Sequence, residues 1–270
     1  MEKKPYIVQE RSDQDKLAKV YLAKFGHGEC HCDTVKCEHL PLSIANFQSF
    51  FRLPVTRRLD GTTSWFIRCF RCGLPDFSDY TLSGRKWENL TLSYSLINST
   101  LDVVGEGDAI STALKLWSHV VQLNFIQELV DPQKADIRIL WGLGEHGDGN
   151  PFDGVGGVLA HAFYPPPNGG ELAGDVHFDD AEQFYYLSGG TIDLITVAAH
   201  ELGHSLGLGH SRDTAALMAP FYRGPHRFLN VDDIAGIRTL YPARMPTQPR
   251  RSFWEWLRRR FGLPNGWGLA

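Results

Sequence analysis

The chain carries the stretch His200-Glu201-Leu202-Gly203-His204-Ser205-Leu206-Gly207-Leu208-Gly209-His210. In an α-helix each residue turns about 100°, so His200 and His204 lie about 40° apart, on one face, where both imidazoles reach a single ion. Glu201 lies one step round the helix, close enough to reach a water on that ion but not to be a direct ligand. The spacing predicts a zinc site with a carboxylate beside it.

The third histidine needs a break in the helix. A continued helix would place His210 about 240° from His204, on the far side. Gly207 removes this obstacle, because glycine tolerates a positive φ and lets the chain turn back toward the ion. Three protein ligands leave a fourth position open, as a catalytic zinc requires. The alternative is a buried helix that carries its histidines by coincidence, and it would need polar partners for three core imidazoles.

The composition around this motif is that of an ordinary folded protein. The 270 residues are 43% hydrophobic and 21% charged, which excludes full disorder. A net charge of −4 argues against nucleic-acid binding through overall charge. No run of about 18 apolar residues is present, so the sequence predicts no membrane-spanning helix.

Periodicity predicts the elements on either side of the motif. Helical spacing appears over 12–25, where Leu17, Tyr21 and Phe25 share a face after a Ser12 cap, and over 43–52. The stretch 53–79 is rich in turn residues. Further along, we expect strands around 90–96 and 137–141, a helix around 110–121 capped near Asp108, a long loop over 142–175, a helix over 191–206 and a last helix that begins at Asn230.

The zinc motif and the stretch Ala216-Leu217-Met218-Ala219-Pro220 together resemble the metzincins, and specifically the matrix metalloproteinases (matrixins). The resemblance implies an α+β zinc-protease domain over 80–243, with a twisted, mostly parallel five-stranded sheet and three helices, and with Met218 in a turn beneath the metal. It implies a small helical prodomain over 1–79. The propeller domain usual in the family is not seen, so the chain resembles the minimal, matrilysin-like members, with a basic aromatic tail over 244–270.

The stretch Arg71-Cys72-Gly73-Leu74-Pro75-Asp76 resembles the cysteine switch of this family, with Phe70 where a proline is usual. A thiolate is a strong zinc ligand, so Cys72 in the fourth position would close the site and keep the enzyme latent. The resemblance implies that Arg71 pairs with Asp76. The alternative for Cys72 is a disulfide with Cys69.

The resemblance also implies how latency ends. Cleavage is expected near Asp79 or Tyr80. The new terminal ammonium would then pair with Asp233, in the Asp232-Asp233 helix.

The other cysteines leave two possibilities open. Cys30, Cys32, Cys37 and Cys69 can form two disulfides in three pairings, or the first three can join His27, His31 and His39 in a small zinc site.

Further metal ligands lie in the long loop. Three histidines and one carboxylate form a closed set that suits a structural zinc: His146, Asp148, His161 and His177. Asp153, Asp179 and Glu182 are hard oxygen donors that suit calcium. The resemblance implies carbonyl donors at Gly154, Gly156 and Val158. It also places Asp136 at a second calcium site. Glu171 and Ala173 replace the usual glycines there, so the sequence leaves the existence of this site undecided.

The resemblance implies a cleft for an extended peptide. The strand near Leu159 and Ala160 would pair with the substrate, and the wall opposite would hold Pro220 and Tyr222. Thr196 lies four residues before His200, where the family sets the size of the main specificity pocket. Because threonine is small, we expect a roomy pocket for long apolar side chains.

These expectations combine into one function. The chain would be a secreted, extracellular zinc metalloendopeptidase, monomeric and made as a latent zymogen, with Glu201 as general base, two zinc ions and at least one calcium. No signal peptide is visible, and we expect that the natural start lies further upstream. Expected partners are extracellular matrix proteins as substrates, an activating protease and, by resemblance, the tissue inhibitors of metalloproteinases.

The alternative function is a catalytically silent zinc fold that binds a membrane or matrix polymer through its tail. Residues 244–270 hold six arginines against Glu255, together with aromatic residues such as Trp254. The plainer interpretation of the tail is a solvated extension.

Overall fold

The computed structural model describes residues 5–28, 39–76, 86–167, 169–187 and 190–244, with side chains from residue 14 onward. Among these residues, no helix combines the length and the apolar character that crossing a bilayer requires.

Three helices make up the N-terminal unit: α1 (Pro5–Lys24), α2 (Leu40–Phe50) and α3 (Gly61–Ile67). Helix α1 begins before Ser12, so the predicted Ser12 cap is wrong. Leu17 is 51% exposed, and Ala18 and Leu22 take its place in the core beside Tyr21 and Phe25. Phe51, Phe66 and other aromatic side chains fill the space between the three helices.

Helix α3 lies in the stretch that the sequence predicts as turns. Asp60 caps it, because its carboxylate accepts a hydrogen bond from Thr63 N at 2.8 Å. With only seven residues, α3 is too short for its periodicity to stand out in the sequence.

A six-stranded sheet forms the centre of the larger unit, in the order β1-β5-β6-β4-β2-β3. The strands are β1 (Arg71–Cys72), β2 (Thr91–Leu96), β3 (Asn124–Gln127), β4 (Ile137–Gly142), β5 (Val158–Ala162) and β6 (Val176–Asp179). Only the β5–β6 pair is antiparallel. The mostly parallel five-stranded sheet is therefore confirmed, and the N-terminal unit adds β1 to its edge as a sixth strand.

Alternation along the strands sets the position of the core. Ile137, Ile139 and Trp141 of β4 are buried, while the residues between them are half-buried. The buried face packs against helices α4 (Glu106–Ser118) and α5 (Leu194–Ser205). Trp117 ties these two helices together by donating Nε1–H to Ala199 O at 2.9 Å.

The caps of the later helices differ in detail from the prediction. The residue at the N-cap of α4 is Gly105, so Asp108 is not the cap. Asp108 lies in the first turn, where its negative charge interacts favourably with the helix dipole. Helix α6 (Val231–Leu240) begins after Asn230 as predicted, with a capping box that includes Asp233. The predicted loop 142–175 contains β5, and the parallel pair β7 (Phe184–Tyr185) and β8 (Ile192–Asp193) precedes α5.

We predict that Gly203→Ala destabilises the fold. A Cβ at Gly203 would lie 2.3 Å from Met218 Sδ and 2.9 Å from Trp117 Cζ2, so α4 and the turn at Met218 must shift. We expect a loss of about 1–3 kcal/mol in the free energy of unfolding, measured by urea denaturation. Gly107→Ala in α4 is the matched control, because nothing lies within 4 Å of its Cβ, and it should gain up to about 1 kcal/mol. Equal stability of the two variants would contradict this packing.

Candidate active site

Four buried ligand side chains converge beneath the cleft: Cys72, His200, His204 and His210. Their ligand atoms all lie within 4.8 Å of one another. The Nε2 atoms of His200 and His204 are 3.0 Å apart, and Cys72 Sγ lies 3.5 Å from His204 Nε2. Three nitrogens and one sulfur around a common point form a donor set that suits zinc.

The backbone holds two of the imidazoles in the required orientation. His200 Nδ1 lies 2.7 Å from Leu217 O, and His204 Nδ1 lies 2.7 Å from Leu208 O. Because Nδ1–H donates to a carbonyl in each ring, Nε2 keeps its lone pair free for a metal.

Gly207 brings His210 back to the cluster, as its position in the motif predicts. Its φ is 105°, and Leu208 N donates to Gly203 O at 2.9 Å in a Schellman-type helix end. His210 Nε2 is buried with no hydrogen-bond partner among the described residues, which fits a ligand that faces a metal.

Burial keeps these imidazoles neutral, the form that binds a metal. Desolvation and the neighbouring His210 lower the pKa of His200 to about 3. Desolvation and His200 lower the pKa of His204 well below its ordinary value. Burial raises the pKa of the Cys72 thiol, and the nearby Glu201 carboxylate raises it further. A thiolate at this place therefore needs a neighbouring cation such as zinc.

Glu201 is 1% exposed, and its Oε2 lies 3.5 Å from Cys72 Sγ. Burial raises the pKa of Glu201 to about 8. The carboxylate therefore lies next to the position that Cys72 fills, within reach of any group that replaces the thiol there.

The segment around Cys72 fills the cleft as an extended strand. Gly73 N donates to Ala160 O at 2.8 Å on one side, and Cys72 N donates to Pro220 O at 3.0 Å on the other. A Cβ at Gly73 would lie 2.9 Å from Val158 Cγ1, so only glycine allows this approach. The slot that the sequence predicts for substrate thus lies between β5 and Pro220, and the chain's own segment occupies it.

A buried ion pair holds that segment in place. Arg71 Nη2 lies 2.6 Å from Asp76 Oδ1, and both side chains are almost fully buried. Tyr21 OH is 2.6 Å from Arg71 Nη1, and the guanidinium carbon lies 3.4 Å from the centre of the Phe25 ring. Burial alone would raise the pKa of Asp76, but Arg71 and nearby histidines hold it well below its usual range.

His27 is a partner of this ion pair that the sequence analysis missed. Its Nε2 lies 2.7 Å from Asp76 Oδ2, although the two residues are 49 positions apart. No local spacing indicates this contact. The contact engages the Nε2 atom of His27.

Two neighbouring carboxylates of α6 have different partners. Asp233 accepts hydrogen bonds from Met218 N at 3.0 Å and from Leu217 N at 2.8 Å, and it is 1% exposed. Its oxygens therefore fix the turn that holds Met218 in the uncleaved chain, and the pairing of Asp233 with a new chain terminus stays a prediction. Asp232 is half-buried, and its carboxylate accepts a hydrogen bond from Ser211 Oγ at 2.6 Å.

A second cluster forms where the loop meets β5 and β6. The nitrogens of His146, His161 and His177 lie 2.9, 2.6 and 2.7 Å from one oxygen, Asp148 Oδ2. Burial raises the pKa of Asp148, but the Asn150 amide and the histidines outweigh this and bring it to about 2. All four predicted structural-zinc ligands thus meet at one point.

The predicted calcium residues surround the turn at 153–158. Val158 N donates to Asp153 at 3.0 Å, and Gly154 N donates to Asp179 at 3.1 Å. Gly156 N donates to Glu182 at 2.5 Å. These N–H bonds hold the three carboxylates around the turn, and the carbonyl donors that the resemblance implies at Gly154, Gly156 and Val158 stay a prediction. Burial raises the pKa of Asp179 and Glu182, and repulsion among the carboxylates raises it further, which a cation would relieve.

A pocket opens beside the metal cluster. It is a cavity of about 100 Å³, and its lining includes Leu159, Thr196, Glu201, Pro220, Tyr222 and His226. The Thr196 hydroxyl is not free, because it donates to Asp193 Oδ1 at 2.6 Å and accepts from His226 N at 2.8 Å. Sequence reasoning missed His226, since it lies 16 residues beyond the motif in a turn.

Some predictions fall outside the described residues: Cys30, Cys32, Cys37 and His31, the cleavage near Asp79 and Tyr80, and the tail from residue 245. Cys69 and Cys72 are both free thiols, so the alternative disulfide between them is wrong for this structure.

Comparisons with known proteins agree with this geometry. The sequence model of the matrixin family matches residues 86–242, more than half of the chain. Karilysin of Tannerella forsythia is 50% identical over 166 residues, which cover 61% of this chain and 35% of karilysin.

Two animal relatives match a longer part of the chain. Matrix metalloproteinase-20 of Homo sapiens is 42% identical over 241 residues, 87% of this chain and 49% of the relative. Stromelysin-2 of Rattus norvegicus is 46% identical over 209 residues, 74% of this chain and 43% of the relative. The chain therefore spans about half, or less, of the length of these curated relatives.

We predict that the two histidine clusters each bind one zinc ion. His204→Ala should remove one equivalent of zinc from the purified full chain, and His177→Ala should remove the other, as measured by mass spectrometry of metal content. The exposed His119, in neither cluster, is the control position, and His119→Ala should keep both. Unchanged zinc content in either cluster variant would contradict the assignment.

Proposed function

Because this chain belongs to the matrixin family, whose members use zinc, we propose that it is a zinc metalloendopeptidase made as a latent zymogen. The observation that carries the proposal is the convergence of His200, His204 and His210 beside Glu201, with Cys72 as the fourth group. Removing Cys72 leaves one open position on the metal side, next to a carboxylate.

The protein residues divide the chemistry among them. When bound, zinc supplies a Lewis acid that polarises a scissile carbonyl and makes water more acidic. Glu201 takes a proton from the attacking water and delivers it to the leaving amine. Its raised pKa, about 8 in the closed form, suits a group that both takes and gives a proton near neutral pH.

The cleft supplies the binding of an extended peptide. Once the segment Phe70–Gly73 leaves, Ala160 O and Pro220 O are free to accept backbone N–H groups of a substrate. The pocket next to Glu201 then receives the side chain that follows the scissile bond.

Latency depends on the N-terminal unit. The Arg71–Asp76 pair is buried against Tyr21 and Phe25 of α1, so the thiol stays at the metal only while α1 is docked. We propose that residues 1–79 are the prodomain, 80–243 the catalytic domain and 244–270 a tail. Activation by another protease between the first two would release Cys72.

The setting of the reaction follows from the family as a further part of the proposal. We place the enzyme outside the cell, with extracellular matrix or other extracellular proteins as substrates and the tissue inhibitors of metalloproteinases as inhibitors. The second cluster would hold a structural zinc, and Asp153, Asp179 and Glu182 would hold calcium. The alternative, a silent binding protein that acts through its tail, is disfavoured by the complete catalytic set around Glu201.

We expect Glu201→Gln to abolish cleavage while zinc stays bound, because the amide cannot accept a proton. The test compares full chains treated with a thiol-capping mercurial, using a fluorogenic peptide and metal analysis. The loss in kcat/KM should be at least about 10²-fold. Asp180→Asn, which changes an acid outside the cluster, is the control and should stay active.

Three results would contradict the proposal. They are full activity in the Glu201→Gln variant, activity that a chelator leaves intact, and no cleavage by the treated wild-type chain. Equal activity before and after mercurial treatment would contradict latency alone.

A further inference from the structure

One residue that lines the pocket beside Glu201 has a buried polar atom without a partner. His226 Nε2 is buried, and it has no hydrogen bond to any described residue. The same side chain lines the pocket that contains His200 and Glu201. A buried polar atom without a partner has a free-energy cost, so such an atom in a binding pocket indicates a ligand group that would pair with it.

The hydrogen bonds of His226 define what Nε2 can do. Burial lowers the pKa of His226, so the ring is neutral at pH 7, while a hydrogen bond to the backbone of Phe228 raises it in part. Since Nε2 is unpaired, the hydrogen bond to the Phe228 backbone is made by Nδ1. This hydrogen bond raises the pKa of the ring, so Nδ1 carries the proton and is the donor. Nε2 is then the lone-pair nitrogen and accepts a hydrogen bond.

The ring is held in place from two sides. It packs on Phe228 with ring centres 4.3 Å apart, and its backbone N–H donates to Thr196 Oγ1 at 2.8 Å. Thr196 is in turn bound to Asp193 at the start of α5. The ring that carries this acceptor is therefore fixed in the pocket lining, and its position is tied to the helix that carries His200.

We propose that His226 is a specificity residue that selects, after the scissile bond, a long side chain ending in a hydrogen-bond donor, above all glutamine. This inference rests on the proposed peptidase function and narrows the predicted preference for long apolar side chains. Glutamine and methionine are similar in length, but only the glutamine amide donates to Nε2. An ionised glutamate side chain has only hydrogen-bond acceptors, so it cannot donate to Nε2. The positive charge of Arg223 in the pocket lining disfavours lysine and arginine side chains.

The test uses mercurial-treated full chains and two peptides that differ only in having glutamine or methionine after the scissile bond. His226→Phe is the variant, because phenylalanine keeps the stacking on Phe228 and the backbone N–H but removes the acceptor. We expect kcat/KM for the glutamine peptide to fall roughly 3- to 10-fold, mainly through KM, and that for the methionine peptide to stay within about twofold.

The outcomes separate this inference from the proposed function. Cleavage of the methionine peptide with an unchanged glutamine-to-methionine ratio in the variant overturns the role of His226 alone. Wild-type preference for methionine over glutamine does the same. No cleavage of either peptide by the wild-type chain overturns the peptidase function and this inference with it.

A different observation concerns the second calcium site that the resemblance left open at Asp136, Glu171 and Ala173. The Arg138 side chain lies there. Its Nε is 3.0 Å from Asp175 Oδ1, and its Nη2 is 2.6 Å from Asp175 Oδ2 and also donates to the carbonyl of Glu171. Asp136 Oδ2 accepts from Ser93 N at 2.7 Å and from Ser93 Oγ at 2.8 Å.

These contacts make the site unsuitable for a calcium ion. Asp175 is 2% exposed, and both of its oxygens are engaged by one guanidinium. A cation already compensates the buried carboxylate, and a second one in the same place would meet like charge. We infer that Arg138 takes the place of the second calcium as a permanent cation of the protein.

The test is Arg138→Met, with Lys134→Met as the control, since Lys134 forms an exposed ion pair with Asp131. We expect the wild-type chain to bind no more than one calcium by titration calorimetry. We expect Arg138→Met to lower the Tm by roughly 4–8 °C because Asp175 loses its partner, and Lys134→Met to change it little. Two calcium ions on the wild-type chain, or equal Tm values for both variants, would overturn this inference.

Discussion

The structure depends on one constraint: four metal-ligand side chains, those of Cys72, His200, His204 and His210, are buried together. Neutral imidazoles and a buried thiol can share such a place only if their polar atoms face a common ion or remain unsatisfied. The surrounding backbone is arranged accordingly. Leu217 O and Leu208 O engage the outer nitrogens of His200 and His204, and the glycine bend at 207 brings in His210.

The closed cleft follows from the same constraint. Cys72 reaches the cluster because Phe70–Gly73 inserts between β5 and Pro220 and hydrogen-bonds on both sides. That insertion brings the Arg71 guanidinium into a buried place, where Asp76 compensates its charge. Breaking such a pair is costly because it leaves one charge uncompensated, so the docking of the N-terminal unit and the position of the Cys72 segment are energetically coupled.

Short-range patterns predicted much of this arrangement. The helical spacing of His200 and His204, the turn at Gly207 and the helix start at Asn230 are local features, and the structure contains all three. The mostly parallel sheet also follows from the family resemblance. The misses are of two kinds: α3 is too short for periodicity, and Leu17 shows that helical spacing alone does not tell which side of a helix is covered.

Long-range contacts were beyond the sequence for a different reason. His27 meets Asp76 across 49 residues, and Arg138 meets Asp175 across 37, so neither pair leaves a local signal. The same limit applies to Asp233, whose carboxylate could serve either a chain terminus or the Met218 turn, and whose partners only the folded chain defines.

One carboxylate links the metal cluster to the specificity pocket. Asp193 caps α5 through Thr196 N at 2.9 Å and so fixes the start of the helix that carries His200 and His204. The same side chain forms an ion pair with Arg227 and accepts a hydrogen bond from the Thr196 hydroxyl. Thr196 Oγ1 then accepts a hydrogen bond from His226 N, which helps to hold the His226 ring in the pocket lining. Because one buried hydrogen-bond network holds both, a substrate side chain that pairs with His226 is held in a fixed relation to Glu201 and the metal ligands.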